Sequence, residues 1–274
     1  MTPIRQPDEE RHLMDETAYE ATIEGWRRAH EATYSRENGW LSQIDLQWFE
    51  DDQAVLDVGT FQNTEAGVRF IAMDGIDVRI AGALTRDVVL DHAAQDYPDV
   101  LTAGTRSYQV VRRGGALAVR VRDTEAPARR RFRGLSWYPV RPEWRIEGRL
   151  VPSVAPSLSM RFTAGQEEDA PCPGQVVFSA RGREHTLVPY ARPDGSWLFV
   201  FRDDSNADET CAMCRYFYAT PSVDQSRVEL DFNRAAAPIC ALVPLVTCVL
   251  PPPENRLPIR VPAGERRPIE ENPS

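Results

Sequence analysis

The sequence contains no lysine; all 32 of its basic residues are arginine. That absence excludes three chemistries, because a P-loop needs its Lys on the phosphates, a protein kinase its strand Lys and a pyridoxal phosphate enzyme its Schiff-base Lys. A basic excess is also missing. With 41 acidic residues and a formal net charge of −9, the chain has nothing to spare for neutralising phosphates, so no nucleic-acid partner is expected. Histidine is scarce, and the four present (12, 30, 92 and 185) show no metal or triad spacing. Neither His-Glu-x-x-His, Gly-x-Ser-x-Gly nor Gly-x-Gly-x-x-Gly occurs. The start, MTPIRQPDEERH, has neither the basic opening nor the apolar stretch of a signal peptide. One long uncharged run exists, the 19 residues Ala235 to Pro253, but Pro238, Pro244 and Pro251-Pro252-Pro253 break any helix drawn through it. It reads as short buried strands or extended segments joined by proline turns. The expectation is a cytoplasmic protein with reduced thiols and no membrane partner.

What is present suits a globular fold: 274 residues, 42% hydrophobic and 27% charged, enough for one large domain or two small ones. A helix is predicted from about Asp8 to Tyr34, because Tyr19, Ile23, Trp26 and His30 form one stripe of a 3.6-residue period and Asn38-Gly39 follows as a stop. After Trp40 the pattern becomes strands. The best local signal is Tyr108 to Arg113, the pair Gly114-Gly115, then Ala116 to Arg122 with Leu117, Val119 and Val121 alternating, which predicts a hairpin. Val68 to Ala72, Val78 to Ile80 and Val88 to Leu90 read as further short strands. An Arg-, Ala- and Pro-rich linker (Thr124 to Arg133) precedes a second series: Trp137 to Leu150, Gln175 to Ser179, Thr186 to Tyr190, Trp197 to Arg202, Cys214 to Ala219 and Val228 to Phe232. The expected fold class is mainly β: an N-terminal helix (1–38), two sandwich- or barrel-like lobes (39–123 and 134–265) and a loose tail (266–274).

Three stretches carry a resemblance. They are Gly39-Trp40-Leu41 with Trp48, the segment Phe201 to Phe217 (FRDDSNADETCAMCRYF), and Leu230-Asp231-Phe232-Asn233 running through Pro251-Pro252-Pro253-Glu254-Asn255-Arg256-Leu257 to Ala263-Gly264-Glu265. Together they resemble the bacterial family called domain of unknown function 1684, over about residues 26 to 265. The resemblance implies two β-rich lobes after a helix and establishes no activity. In many members the first lobe also looks faintly like a forkhead-associated phosphopeptide reader. Here the corresponding segment, Asp57 to Thr64, has lost most of that character.

Candidate chemistry gathers in the second lobe. Glu254, Asn255 and Arg256 follow three prolines that fix an extended backbone, and they offer a base, a two-way hydrogen-bonder and a carboxylate clamp. A structural Glu–Arg network explains them equally well. Asp231 and Asn233 flank Phe232 in an alternating strand and so share a face. Arg215 and Tyr216, from the second stretch, are candidates to converge with them. The leading expectation is a cofactor-independent enzyme of isomerase or cyclase type, with Asp231, Glu254 and Tyr216 catalytic and Arg215, Asn233, Asn255 and Arg256 binding substrate. Four positions depart from the family: Ala236, Ala237, Val243 and Leu245 stand where relatives commonly carry Tyr or Asn. Lining one cavity, they would make it dry and suited to an apolar, polyketide-like metabolite of secondary metabolism. The alternatives are a ligand-binding protein without turnover and a thiolate–zinc protein using Cys211, Cys214, Cys240 and Cys248. Oligomeric state is open.

Overall fold

The computed structural model describes residues 7–90, 96–113, 115–153 and 157–267. The chain divides into two compact units, one of Ala32–Arg133 with Leu242–Val246, the other of Met1–Glu31, Gly134–Ala241 and Thr247–Ser274. The architecture is mainly β, with one long helix at the N-terminus, and every sheet has an open strand order.

The first is a sandwich unit of two antiparallel sheets. One has six strands in the order Gln43–Trp48, Ala116–Asp123, Arg106–Arg113, Asp96–Ala103, Val78–Ile80, Ala83–Thr85; the other has four, Gln53–Leu56, Gly59–Thr64, Gly67–Ala72 and Asp87–Leu90. Phe61, Val68 and Phe70 from the smaller sheet and Leu101, Val110 and Val119 from the larger are fully buried in one shared core. The predicted hairpin forms with Ala116 opposite Arg113 and Val119 opposite Val110. Gly115 is at φ 84°, a conformation that glycine adopts without strain, while Gly114 lies outside the described residues. Its second strand is buried on both faces rather than alternating: Ala118 and Arg120 are covered too, and the Arg120 guanidinium lies 5.4 Å from the Trp40 ring. The segment read as a linker contains a short helix, Pro127–Arg131. Arg129 ties it down by donating to the carbonyls of Ser35 (2.8 Å) and Thr124 (2.8 Å).

The second is a helix-bearing unit. Its helix, Pro7–Ser35, buries Ile23 and half-buries Tyr19, Trp26 and His30 along the stripe that the periodicity marked, and it buries Arg27 beside them. A four-stranded sheet runs Arg183–Leu187, Gly174–Ala180, Arg145–Pro152, Arg227–Asp231, and a three-stranded sheet runs Tyr190–Ala191, Trp197–Phe201, Arg215–Ala219. Phe232 sits at the centre of the core, 5.2 to 5.8 Å from the rings of Trp144, Phe178, Phe201 and Phe217. The strand Trp197–Phe201 is buried at every position, which explains its uninterrupted apolar sequence: Leu198 and Val200 pack into a second cluster with Tyr190 and Cys214.

Three expectations change here. The strand expected over Trp137 to Leu150 is divided, because Pro142 opens a 3-10 turn between Ser136–Trp137 and Arg145–Pro152. The alternating strand through Asn233 stops at Asp231, and Phe232–Arg234 forms a 3-10 turn capped by the Asp231 side chain. The uncharged run Ala235 to Pro253 holds isolated bridges (Tyr216 with Ala236, Phe162 with Val249) and a 3-10 turn, with no regular strand. Among the described residues no helix is long and apolar enough to cross a membrane. Of the tail, residues 268–274 lie outside the described residues, while Glu265–Arg266 pair with Ser136–Trp137.

Candidate functional site

The segment Phe201 to Arg215 is a loop wound around one carboxylate. Asp203 accepts from the backbone N–H of Ser205 (2.8 Å) and from its hydroxyl, and Asn206 caps the Asp203 N–H at 2.7 Å. Arg215 closes the loop with an ion pair to Asp203 in which both side chains are 0% exposed. Its guanidinium also donates to the carbonyls of Val261 (2.9 Å) and Ala263 and lies 5.3 Å from the Phe201 ring. A buried Arg with a carboxylate and two carbonyls is compensated without a ligand.

Asp231 and Asn233 are brought together, and both are bound into the fold. Asp231 accepts from the Tyr19 hydroxyl (2.7 Å), the Asn233 N–H (3.1 Å) and the Arg234 side chain (3.2 Å). Asn233, fully buried, accepts from the Arg141 N–H (2.8 Å) and donates to the Arg141 carbonyl (2.8 Å) and Tyr19 (2.9 Å). Burial and the neighbouring Asp231 carboxylate push the Tyr19 phenol well above its ordinary range. Asn255 is a clamp of the same kind: its amide accepts from the Val188 N–H (2.7 Å) and donates to the carbonyls of Val188 and Val200 (both 2.8 Å). Its neighbours Glu254 and Arg256 are exposed, so the three-residue motif alternates between solvent and core. Tyr216 is half-buried and pairs through its backbone with Ala236.

The four departing positions fall in different units. Ala236 and Ala237 are buried in the helix-bearing unit, whereas Val243 and Leu245 belong to the sandwich unit, where Leu245 is 39% exposed. The four positions are thus divided between the two units.

Sequence reasoning passed over Glu265. It is 2% exposed, its carboxylate accepts from the Ala237 N–H at 2.9 Å, and burial pushes its pKa up to about 8. The preceding Gly264 has φ 83°, and a Cβ there would meet the Ala235 carbonyl oxygen at 2.3 Å, so the close approach that buries Glu265 requires glycine. Ala263-Gly264-Glu265 was visible as a motif, but nothing local signalled burial of the acid.

All five cysteines are free. Cys211, Cys214, Cys240 and Cys248 influence one another electrostatically, yet among the described residues no three His, Cys, Asp or Glu side chains are grouped to hold a metal ion. The Cys240 N–H donates to the Cys248 sulfur at 3.3 Å, and the Cys240 thiol donates to the Met213 sulfur at 4.0 Å.

A different site lies on the sandwich unit, at the end where turns from both sheets meet. There a cleft of ≈ 330 Å³ is walled by Val58, Ile76 and Ala103 and rimmed by Asp57, Asp77, Arg106 and Tyr108. Asp57 occupies the two-residue turn between Leu56 and Gly59. It accepts from the Tyr108 hydroxyl (3.1 Å) and Arg106 (2.5 Å), which joins the smaller sheet's turn to a strand of the larger. Burial and the Asp57 carboxylate push the Tyr108 phenol up to about 12. Gly75 (φ 81°) and Gly104 (φ 59°) form the remaining turns, and the space beyond them is open. Sequence reasoning noticed Asp57 only through the lost phosphopeptide-reader segment.

These features define a mainly β protein of two units, one sealing its polar residues inside and one opening a small cleft. The chain belongs to the family described as "Protein of unknown function (DUF1684)", whose model matches residues 130–266. That span holds the second and third resembling stretches, and the first (Gly39-Trp40-Leu41 with Trp48) lies outside it. No curated protein matches the chain. Among solved structures, the solution NMR structure of an uncharacterized protein of Haloarcula marismortui is similar at 28% identity over 53% of this chain and 83% of that one, with a TM-score of 0.45.

Proposed function

We propose that the chain is a small-ligand-binding protein that acts without turnover, with its site in the cleft of the sandwich unit. The observation that carries this reading is the cleft itself: ≈ 330 Å³, an apolar wall and a polar rim, the composition of small-molecule sites. Its rim presents Asp57 and Asp77 against the single cation Arg106, which favours a small organic cation with an apolar body and disfavours a phosphate. The acid–base enzyme has less support, because Asp231, Asn233 and Asn255 spend their polar atoms inside the fold, Arg215 is fully buried against Asp203 and Glu254 stands in solvent. Five free thiols fit a reducing, cytoplasmic compartment. The test is a titration with n-butylamine followed by backbone amide NMR. Saturable shifts at Gly75, Asp77 and Gly104 that vanish in Asp77→Asn are expected. Unshifted cleft amides, or shifts that persist in Asp77→Asn, reject the site.

A further inference from the structure

Two thiols outside the cleft are arranged for chemistry that neither the fold nor the binding reading uses. Cys240, half-buried, lies in the 3-10 turn Ile239–Ala241, and its N–H donates to the Cys248 sulfur at 3.3 Å. Cys248, 8% exposed, is fixed from the other side: its N–H donates to the Thr163 hydroxyl (3.0 Å), and its carbonyl accepts from the Thr163 N–H (2.9 Å). Backbone on both sides therefore fixes the Cys248 sulfur beside the Cys240 backbone. The residues between them leave this unit, since Leu242–Val246 belong to the sandwich unit.

We propose that Cys240 and Cys248 are a peroxide-oxidisable dithiol, forming a reversible disulfide across the base of the loop between them. Two neighbouring thiols need only a two-electron oxidant to join, and hydrogen peroxide supplies it. The Cys248 thiolate attacks one peroxide oxygen; an S–O bond forms, the O–O bond breaks, and the departing hydroxide takes up the proton that Cys248 released, giving water. The Cys240 sulfur then attacks the sulfenic sulfur, the S–S bond forms as the S–O bond breaks, and the oxygen leaves as a second water with the Cys240 proton. Overall the two thiols lose two hydrogens and one peroxide becomes two waters.

The order of attack follows from the hydrogen bond. The Cys248 sulfur accepts the Cys240 backbone N–H at 3.3 Å, which favours its thiolate, whereas the Cys240 thiol donates to the Met213 sulfur at 4.0 Å. The reactive species is the thiolate, so Cys248 attacks the peroxide and Cys240 resolves. The neighbouring thiols are poorer competitors: burial pushes Cys214 up, and burial also pushes up Cys172.

The sequence makes the test direct. Trypsin releases Ala235–Arg256 with Cys240 and Cys248 as its only cysteines, and Asp203–Arg215 with Cys211 and Cys214. Full-length protein treated with one equivalent of hydrogen peroxide, unfolded, alkylated and digested is expected to give Ala235–Arg256 unalkylated and lighter by two hydrogens. Dithiothreitol should restore double alkylation, and Asp203–Arg215 should stay fully alkylated throughout. In Cys240→Ser, dimedone should label Cys248; in Cys248→Ser, Cys240 should stay unlabelled. A doubly alkylated Ala235–Arg256 after peroxide, a disulfide involving Cys211 or Cys214, or dimedone on Cys240 in Cys248→Ser overturns the proposal.

Discussion

In the helix-bearing unit the Arg215–Asp203 pair is sealed at 0% exposure, and two backbone carbonyls also accept from the guanidinium, whose Nε is buried without a partner. In the sandwich unit the Arg106–Asp57 pair stands at 43% and 60% exposure on the rim of a cleft. The same pair of residue types thus does two jobs. A sealed pair with every partner internal contributes to the fold and offers a ligand nothing. An open pair adds little stability and keeps its carboxylate and guanidinium within reach of a ligand. The distinctive residues of the family segment belong mostly to the first kind, which is why a distinctive motif there is poor evidence for catalysis.

The comparison breaks most visibly if the sealed pair is cut. Asp203→Ala leaves a buried guanidinium uncompensated and is expected to cost about 3–5 kcal/mol in denaturant unfolding. A loss comparable to that of a surface pair would show that the Arg215 pocket is hydrated. Asn255→Ala should follow closely, at roughly 3 kcal/mol, because it strips partners from three buried backbone groups.

Glu265 sharpens the contrast through pH. Its native pKa of about 8 lies above the ordinary 4.5, so between those values the folded chain keeps a proton that the unfolded chain has lost. The contribution is fully present below pH 4.5 and is lost as pH rises through about 8, on the order of a few kcal/mol in total. Thermal melts of Glu265→Gln across this window should lack that decline; an unchanged slope would assign it elsewhere.

The open pair should respond weakly. Asp57→Ala is expected to change stability by about 1 kcal/mol or less while weakening n-butylamine binding. Smallest of all is Glu254→Gln, within about 0.5 kcal/mol by the same unfolding measurement, since the side chain is exposed. A loss of several kcal/mol there would revive the structural Glu–Arg network.

How much was legible depended on distance along the chain. The helix stripe, the Gly114-Gly115 hairpin and the strands around Val68, Val78 and Val88 are patterns of neighbours, and period and turn chemistry suffice to read them. The hairpin Ser157–Arg161 with Glu167–Pro171 escaped because its strands are short and polar, giving no alternation to follow. Zinc was raised by a Cys-x-x-Cys spacing, but which thiol meets which depends on a turn at Ile239–Ala241 that spacing does not encode.

By itself the sequence determined the mainly β class, the N-terminal helix, the uncharged run's failure as a helix and the chemistries that the lack of lysine removes. Each of these follows from composition or from residues a few positions apart. Only the tertiary structure decided what the polar residues do. Tyr19 reaches Asp231 across 212 positions, Asn255 reaches Val188 across 67, and Arg215 finds Asp203 only because the intervening loop winds back. Whether a carboxylate is a base, a cap or a buried acid depends on the solvent and donors around it, and those are supplied by segments far away in the chain.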